Sequence, residues 1–452
     1  MRLTAVAFAA LFAGTTLTPL QLLAQSGQPQ VEKAAVPNPS PAAAAVPGGK
    51  TAEVPYSTVA QPGSVMTEAG PVAIAQVASG LDHPWAMAFL PDGRLLVTER
   101  NTGALKLLYE DGSFSSAIEG VPQVFAQGQG GLLDIALDPD FADNRMVYLT
   151  YAQPSKDGAT TALGRGKLVE ASGDTLSGQA QTGQNATRAN PPYAGAGNLD
   201  PVGPMKIEDW EVLFTQGPEI RGPNHFGSRI VFDREGRILL ALGERFQFEP
   251  AQDTSNTLGT VVRLNKDGSV PDSNPFVGKE GEDAIFSFGH RNIQAAALNP
   301  DTGALWVAEM GPLGGDELNV PEAGKNYGWP LVSHGMNYDG STIPAPSTRP
   351  ELADAIHQWT PSISPSGMIF YTGDVFPAWK GSAMIGSLSQ DAVIRMSLDG
   401  DKVTGQELIP MGARVRDVAQ GPDGLIYVLT DQDDGKLWRL APLPEGNSRM
   451  AK

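Results

Sequence analysis

Three groups of polar residues are candidates for ligand binding or catalysis, and each stands just before a predicted strand. They are Asn224-His225, His290-Arg291-Asn292 and Arg414-Val415-Arg416. Alternate residues of an extended segment point to the same side, so Arg414 and Arg416 form a pair. Two guanidinium groups on one side suit a carboxylate-bearing ligand, through bidentate charge-assisted hydrogen bonds. Ordinary surface charges are the alternative interpretation.

A fourth candidate is the loop from Gly311 to Glu317, which reads GPLGGDE and is followed by Asn326-Tyr327-Gly328-Trp329. Backbone carbonyls of a Gly/Pro loop and nearby carboxylates are ligands that Ca²⁺ accepts. The spacing fits no EF-hand, so an acidic turn without a metal is the alternative.

The familiar catalytic signatures are absent from the sequence. The five histidines form neither an HExxH motif nor a close pair, which argues against a zinc hydrolase. There is no GxSxG, no Walker sequence and no GxGxxG after a predicted strand. Because the chain has no cysteine, thiolate catalysis, disulfides and Cys-based metal sites are excluded.

Repeated hairpins must position these residues. Five segments each contain two short apolar strands around a turn such as Asp-Gly or Thr-Gly: Trp85–Arg100, Leu133–Tyr151, Ser228–Arg245, Gln294–Met310 and Val418–Asp431. Asp-Gly between apolar runs is a strong hairpin signal, because the turn needs positive φ. A more divergent sixth copy spans Ser364–Arg395. The pattern predicts an all-β fold, a six-bladed β-propeller with four-stranded antiparallel blades over residues 71–442.

Composition narrows the function classes. With 32 Lys plus Arg and 50 Asp plus Glu, the 452-residue chain has a net charge of −18. This balance argues against nucleic acid as a partner, since phosphate binding needs clustered basic residues. It suits a soluble protein that handles neutral or cationic small molecules.

Three segments are expected to lie outside the packed domain or on its surface. Residues 1–25 read as a secretory signal peptide, which predicts periplasmic export, and no segment is long enough for a membrane span. Residues 26–70 are a Pro/Ala-rich sequence typical of a flexible linker, and 443–452 form a tail. Residues 170–206 are predicted to be a surface insertion, either without function or acting as a lid or docking loop.

The motifs together resemble the soluble PQQ-dependent aldose sugar dehydrogenases of the glucose/sorbosone dehydrogenase family. They include GLDHPWAMAFLPDGRLLVTER, GQGGLLDIALDPDF, NHFGSRIVFD, GHRN, GPLGGDELN, NYGWP, WTPSISPSG and RVRDVAQGPDGLIYVLTD, in order along the chain. The resemblance implies a six-bladed propeller that holds pyrroloquinoline quinone (PQQ) and Ca²⁺ at the channel mouth. It also implies oxidation of the C1 hydroxyl of aldoses to lactones, with electrons passing to a separate acceptor.

The resemblance implies a role for individual residues. His225 would be the general base, Gln129 would lie beside it at the substrate, and Arg245 would stabilise the reduced quinone. The implied cofactor-binding residues are Arg414, Arg416, Trp359 and Asn224. Gly311 and Pro312 would offer carbonyls to the Ca²⁺ at the cofactor, and Glu317 and Tyr327 resemble ligands of a second, structural Ca²⁺.

Several residues depart from the family pattern. Phe246, Gln247 and Phe248 stand where the family often has Gly, Gln and Arg, while Met310, Leu313 and Ser389 replace basic side chains. Asn224 replaces an acidic partner of the base, which predicts a less stabilised imidazolium. These departures bear on cofactor affinity and substrate class. The alternatives are a Ca²⁺-dependent lactonase-type hydrolase and a non-catalytic propeller that binds a sugar or another ligand.

Overall fold

The computed structural model describes residues 63–109, 112–156, 158–171, 204–343 and 348–443. The hairpins expected from the sequence are present, and their turns show why the sequence specifies them. Gly93, Gly236 and Gly424 have φ of 91°, 77° and 74°, the region that glycine adopts without strain. The aspartate before the turn caps it from its side chain, as Asp423 does when its Oδ1 accepts the Leu425 N–H.

The described residues form six antiparallel sheets. Two amino-terminal strands come first, β1 (Gly63–Thr67) and β2 (Gly70–Leu81). Blade 1 contains β3 (Pro84–Phe89), β4 (Leu95–Glu99) and β5 (Leu105–Leu108). Blade 2 contains β6 (Leu132–Leu137), β7 (Met146–Pro154), β8 (Ala159–Glu170) and β9 (Met205–Thr215). Blade 3 contains β10 (Gly227–Phe232), β11 (Ile238–Leu242), β12 (Thr260–Leu264) and β13 (Ile285–Phe288).

The second half of the chain repeats the pattern. Blade 4 contains β14 (Ile293–Leu298), β15 (Leu305–Glu309), β16 (Asp316–Asn319) and β17 (His357–Trp359). Blade 5 contains β18 (Pro365–Phe370), β19 (Ala383–Ser387), β20 (Ala392–Asp399) and β21 (Lys402–Pro410). Blade 6 contains β22 (Val415–Gln420), β23 (Ile426–Thr430) and β24 (Gly435–Pro442). The helical elements of the described residues are short: α1 (Phe141–Asn144) and two 3₁₀ turns, Glu249–Gln252 and Pro377–Trp379.

The predicted six-bladed propeller is confirmed. The first strands of the blades, β3, β6, β10, β14, β18 and β22, each contact the next, and β22 contacts β3, so the ring closes. Strand β2 completes blade 6 by pairing with β24, and β1 adds a fifth strand outside it. Within the described residues, blade 1 has three strands, and an isolated bridge joins Leu108 to Phe114.

An ion triad links three of the inner strands. Arg229 on β10 contacts Asp134 on β6 at 3.0 Å and Asp417 on β22 at 3.1 Å. Its guanidinium also lies 4.2 Å from the centre of the Trp85 ring. The three charged side chains are almost fully buried, so each charge depends on its partners in the triad.

The domain boundaries differ from the expected ones at one end. Gly63–Thr67, within the range expected to be a linker, forms β1 and pairs with β2. The expected insertion joins β8 to β9, and Glu170 and Met205 pair at its base. Residues 1–25 and most of the insertion and tail lie outside the described residues. Among the helices that the structure describes, none is long and apolar enough to cross a membrane.

Candidate active site

The inner strands begin at the same end of the channel, which we call the mouth, and the candidate residues lie there. His225 precedes β10, Arg291 precedes β14 and Arg414 precedes β22. His225 has a φ of 53°, and the chain passes so close to Gly243 that a Cβ there would lie 2.2 Å from the His225 carbonyl oxygen. A glycine at 243 therefore lets the chain hold His225 in this turn.

His225 has the surroundings of a neutral base. Its backbone N–H donates to Gln129 Oε1 at 2.8 Å, and its Nδ1 lies 2.9 Å from Oε1 of the fully buried Glu244. A carboxylate only accepts, so we assign the proton to Nδ1, which leaves Nε2 as the basic nitrogen. Burial lowers the pKa of His225, the hydrogen bond to Glu244 opposes this, and Arg291 lowers the pKa further. The neutral form of the imidazole is therefore favoured.

Glu244 corrects one expectation. The sequence predicted that Asn224, in place of an acid, leaves the imidazolium with less support. The supporting carboxylate comes instead from residue 244, and its Oε2 also accepts the Gln247 N–H at 2.6 Å. Asn224 is partly buried at the mouth, and its carbonyl accepts from Arg245. The sequence analysis gave a role to the next residue, Arg245, and none to Glu244.

Arg414 and Arg416 meet at one carboxylate, that of Asp431. Their Nη2 atoms lie 3.3 Å and 2.8 Å from Asp431 Oδ2, and Arg416 Nη1 donates to Gln294 Oε1 at 2.9 Å. Burial alone would raise the pKa of Asp431, but Arg416 and its neighbours hold that pKa well below its usual range. Two guanidinium groups thus share the Asp431 carboxylate, and the Arg414 side chain is half exposed while that of Arg416 is buried.

The mouth also contains donors that suit an anionic ligand. The Nε atoms of Arg291 and Arg416 are buried and have no hydrogen-bond partner. A buried donor left unpaired is unfavourable, and a carboxylate is its natural acceptor. PQQ bears three carboxylates, so these residues fit it. The sequence placed Arg291 at the mouth but gave it no role. Its Nη2 lies 3.2 Å from the Tyr338 hydroxyl.

Arg245 and Trp359 are placed differently from the expected arrangement. Arg245 is buried, and its guanidinium donates to the carbonyls of Asn224, Ala159 and Gly222 and stacks 3.7 Å from the centre of the Phe226 ring. It holds the loops around His225 together. Trp359 lies on β17, the outermost strand of blade 4, packs in the core, and donates from its indole to Gln406. Neither side chain presents its polar group to the mouth.

The Gly311-Pro312 loop alone does not make a calcium site. The Gly311 carbonyl accepts from Arg291 Nη1 at 2.8 Å, so a cation there would face a guanidinium. The nearby Asp316 uses both carboxylate oxygens on the backbone N–H groups of Gly311 and Ser364. Calcium takes about six to eight oxygen ligands, and this loop supplies few.

Glu317 and Tyr327 lie farther out in blade 4. Glu317 Oε2 accepts from Asn319 Nδ2, which also donates to Glu309. Burial and the neighbouring Glu309 carboxylate raise the pKa of Glu317 to about 8. The Tyr327 hydroxyl donates to the Val320 carbonyl, and its ring stacks on His290. Within the described ranges, no group of three or more His, Asp or Glu side chains is placed to hold a metal ion.

Apolar side chains line one side of the mouth. The Phe246 ring meets the His225 imidazole edge-on, with centroids 5.0 Å apart, and lies 6.5 Å from Tyr338. Leu313 and Met336 pair as a β-bridge beside them. Four exposed side chains are therefore found here, those of Phe246, Leu313, Met336 and Tyr338. Phe246 has a φ of 63°, which is strained for an aromatic residue, so the loop holds this ring against the base.

Comparison with known proteins decides the family. The glucose/sorbosone dehydrogenase family model matches residues 81–439. The chain belongs to this family. The aldose sugar dehydrogenase YliI of Escherichia coli (strain K12) is 43% identical over 370 residues, which is 80% of this chain and 91% of the relative.

Two solved structures place this member of the glucose/sorbosone dehydrogenase family among known folds. The apo-form of the soluble aldose sugar dehydrogenase from Escherichia coli is 41% identical, with a TM-score of 0.73 over 82% of this chain and 100% of that chain. The PQQ-bound aldose sugar dehydrogenase of Streptomyces coelicolor is 25% identical, with a TM-score of 0.63 over 82% of this chain and 98% of that chain.

Proposed function

We propose that the chain is a periplasmic PQQ-dependent dehydrogenase that oxidises the C1 hydroxyl of aldose sugars to lactones. The supporting observation is a buried imidazole with its Nδ1 on Glu244, at the same end of the propeller as the Arg414–Arg416 pair. A base and a polycarboxylate site at one mouth are what this oxidation needs. Names and ligands of the relatives agree with this reading.

In the proposed reaction His225 Nε2 takes the proton of the C1 hydroxyl. PQQ, when bound, supplies the two-electron acceptor for the hydride that leaves C1 as the C–O double bond forms. Glu244 stabilises the imidazolium that results and keeps the ring oriented. Gln129 fixes the turn at His225, and its amide N–H groups can donate to a sugar hydroxyl.

Three arginines hold the cofactor in this proposal: Arg291, Arg414 and Arg416. Arg291 and Arg416 have unpaired Nε donors. Arg414 is more exposed than Arg416, with which it shares Asp431. Phe246 packs against the C–H face of the sugar and excludes water from the base. Arg245 acts as a support for the loops that carry His225.

Calcium is proposed only together with the cofactor, because the Gly311-Pro312 carbonyls need further oxygen ligands. A second Ca²⁺ at Glu317 and Tyr327 is a separate proposal. EDTA treatment of the PQQ-free protein and of the loaded enzyme distinguishes the two calcium sites. If EDTA lowers the melting temperature of the PQQ-free protein and Ca²⁺ restores it, the site at Glu317 and Tyr327 is supported. If EDTA affects only the loaded enzyme, the site at Gly311-Pro312 is supported.

Export and the electron acceptor complete the proposal. Residues 1–25 would be removed during export to the periplasm, which amino-terminal sequencing of the secreted protein tests. Electrons would pass from the reduced cofactor to a separate acceptor. The alternative of a lactonase-type hydrolase would need several carboxylates around one channel ion. No such group is placed in the described part of the chain.

Reconstitution tests the proposed function. The mature protein is titrated with PQQ and CaCl₂ by absorbance, and dye reduction is assayed with a panel of aldoses. His225→Gln should retain PQQ binding and lose roughly 10²- to 10⁴-fold in turnover. The matched control His357→Gln changes a histidine on the outer strand of blade 4 and should keep both. Parent protein that binds PQQ but oxidises no aldose would contradict the activity, and absent binding would favour a non-catalytic propeller.

A further inference from the structure

Asp431 is surrounded by more positive charge than Arg414 and Arg416 supply. Its Oδ1 lies 2.9 Å from His83 Nδ1 and 3.9 Å from Arg100 Nη2. Three guanidinium groups therefore face one carboxylate, which is itself held from the other side by His83. The surplus positive charge at this point exceeds what a single arginine pair would give.

Arg100 is built firmly into this position. It follows β4, its N–H donates to the His83 carbonyl, and its carbonyl accepts from Leu132. A Cβ at Gly131 would lie 2.0 Å from the Arg100 carbonyl oxygen and 2.7 Å from its Cγ. The glycine thus lets the Gln129–Gly131 loop close over the arginine stem, which fixes the direction of the side chain.

The guanidinium of Arg100 has donor capacity that the protein does not use. Its side chain is 13% exposed, its Nε is buried without a partner, and its separation from Asp431 exceeds hydrogen-bond distance. Arg416, across the same carboxylate, has the same unpaired Nε. The parts of this cluster open to an anionic ligand are the Arg100 and Arg414 side chains, which are 13% and 50% exposed.

We propose that Arg100 is a further binding residue, beside Arg291, Arg414 and Arg416, for the carboxylates of the polycarboxylate cofactor. Asp431 alone does not neutralise the three guanidinium groups, and Asp391 near Arg414 offsets only part of their remaining positive charge. This inference rests on the proposed function, because it assumes that PQQ occupies the mouth.

The test is direct titration of the full-length mature protein with PQQ, followed by tryptophan fluorescence and absorbance at several salt concentrations. Arg100→Gln should raise the dissociation constant roughly 10- to 100-fold, since a hydrogen bond to a charged group is lost. It should also make binding less dependent on salt. Arg100→Lys keeps the charge but loses the planar fork, so we expect an intermediate dissociation constant.

A matched control and a modified ligand separate direct binding from a structural effect. Arg94→Gln changes a similarly buried, ion-paired arginine at the far end of the β3–β4 hairpin, and should leave PQQ binding within about twofold. The trimethyl ester of PQQ has no carboxylates, so Arg100→Gln should not weaken its binding. If Arg100→Gln fails to fold, Arg100→Lys with PQQ and its ester gives the same comparison.

The possible results separate a failure of the Arg100 assignment from a failure of the proposed PQQ-dependent function. Parent-like PQQ affinity in both Arg100 variants overturns this inference and leaves the proposed function intact. Equal weakening of PQQ and its ester also overturns it, because the effect would then be structural. A parent protein that does not bind PQQ overturns the proposed function and this inference together.

Discussion

Replacing Glu244 by Gln removes one negative charge beside the proposed base and changes little in shape. The carboxylate is fully buried, and its Oε1 lies 2.9 Å from His225 Nδ1. A charge-assisted hydrogen bond between buried groups is worth about 1.5–3 kcal/mol, and it is made at full strength only when the imidazole is protonated. At about 1.4 kcal/mol per factor of ten, kcat/KM should fall roughly 10- to 150-fold.

The pH dependence of kcat/KM gives a second, independent test of the role of Glu244. Glu244 raises the pKa of His225 against the effect of burial, so its removal moves that pKa still further below the ordinary value. The base is active when deprotonated, and the acid limb of the kcat/KM profile reports its pKa. In Glu244→Gln the limb should therefore move to lower pH while the plateau falls.

The assay is dye reduction by the PQQ-loaded enzyme from pH 4.5 to pH 9, with aldose concentrations from well below KM to above it, so that kcat/KM is obtained at each pH. Glu235→Gln is the matched control, because this exposed glutamate lies at the far turn of the β10–β11 hairpin. Glu244→Asp keeps the charge and should recover part of the rate. A plateau within about twofold of the parent, or an acid limb that moves to higher pH, would refute the assigned role of Glu244.

Three further expectations concern other parts of the molecule. Phe246→Ala should raise KM for aldoses about three- to tenfold with little change in kcat. The control Met66→Ala, on β1, should leave KM unchanged. If Phe246→Ala has the KM of the parent, Phe246 is not part of the substrate site. Arg229→Met leaves two buried aspartates unpaired and should lower the free energy of unfolding by about 3–5 kcal/mol in urea titrations; a loss below about 1 kcal/mol would show that the channel tolerates those charges. Glu317 has a folded pKa of about 8, above its ordinary 4.5, so the folded state binds its proton more tightly and loses stability as pH rises between these values. The melting temperature of Glu317→Gln should therefore exceed that of the parent more at pH 8 than at pH 5, and a constant difference would contradict the assigned pKa.

The sequence was sufficient for the architecture because its signals are local. Asp-Gly turns between apolar strands specify hairpins, and their repetition leads to the propeller and to the convergence of strand starts at one mouth. The pairing of Arg414 with Arg416 follows from the two-residue period of an extended segment. The strand at Gly63–Thr67 was missed because its pairing with β2 is not visible in its composition.

The details of the site depend on contacts that no local pattern reveals. Glu244 reaches His225 because the end of β11 lies beside the start of β10, and Arg245, the next residue, turns towards the backbone carbonyls behind the site. Trp359 was assigned to the cofactor from its motif, but the sequence does not tell which strand of a blade a residue joins. Arg100 lay within a recognised hairpin, and only the fold brings it to Asp431.

Anaerobic mixing of the PQQ-loaded protein with one equivalent of aldose tests the central claim most directly, because it observes the chemical step without any electron acceptor. The cofactor absorbance should change within a single turnover in the parent and in His357→Gln. In His225→Gln it should remain that of the oxidised form although the cofactor is bound. Reduction in His225→Gln at the parent rate would contradict the account that places the base at His225.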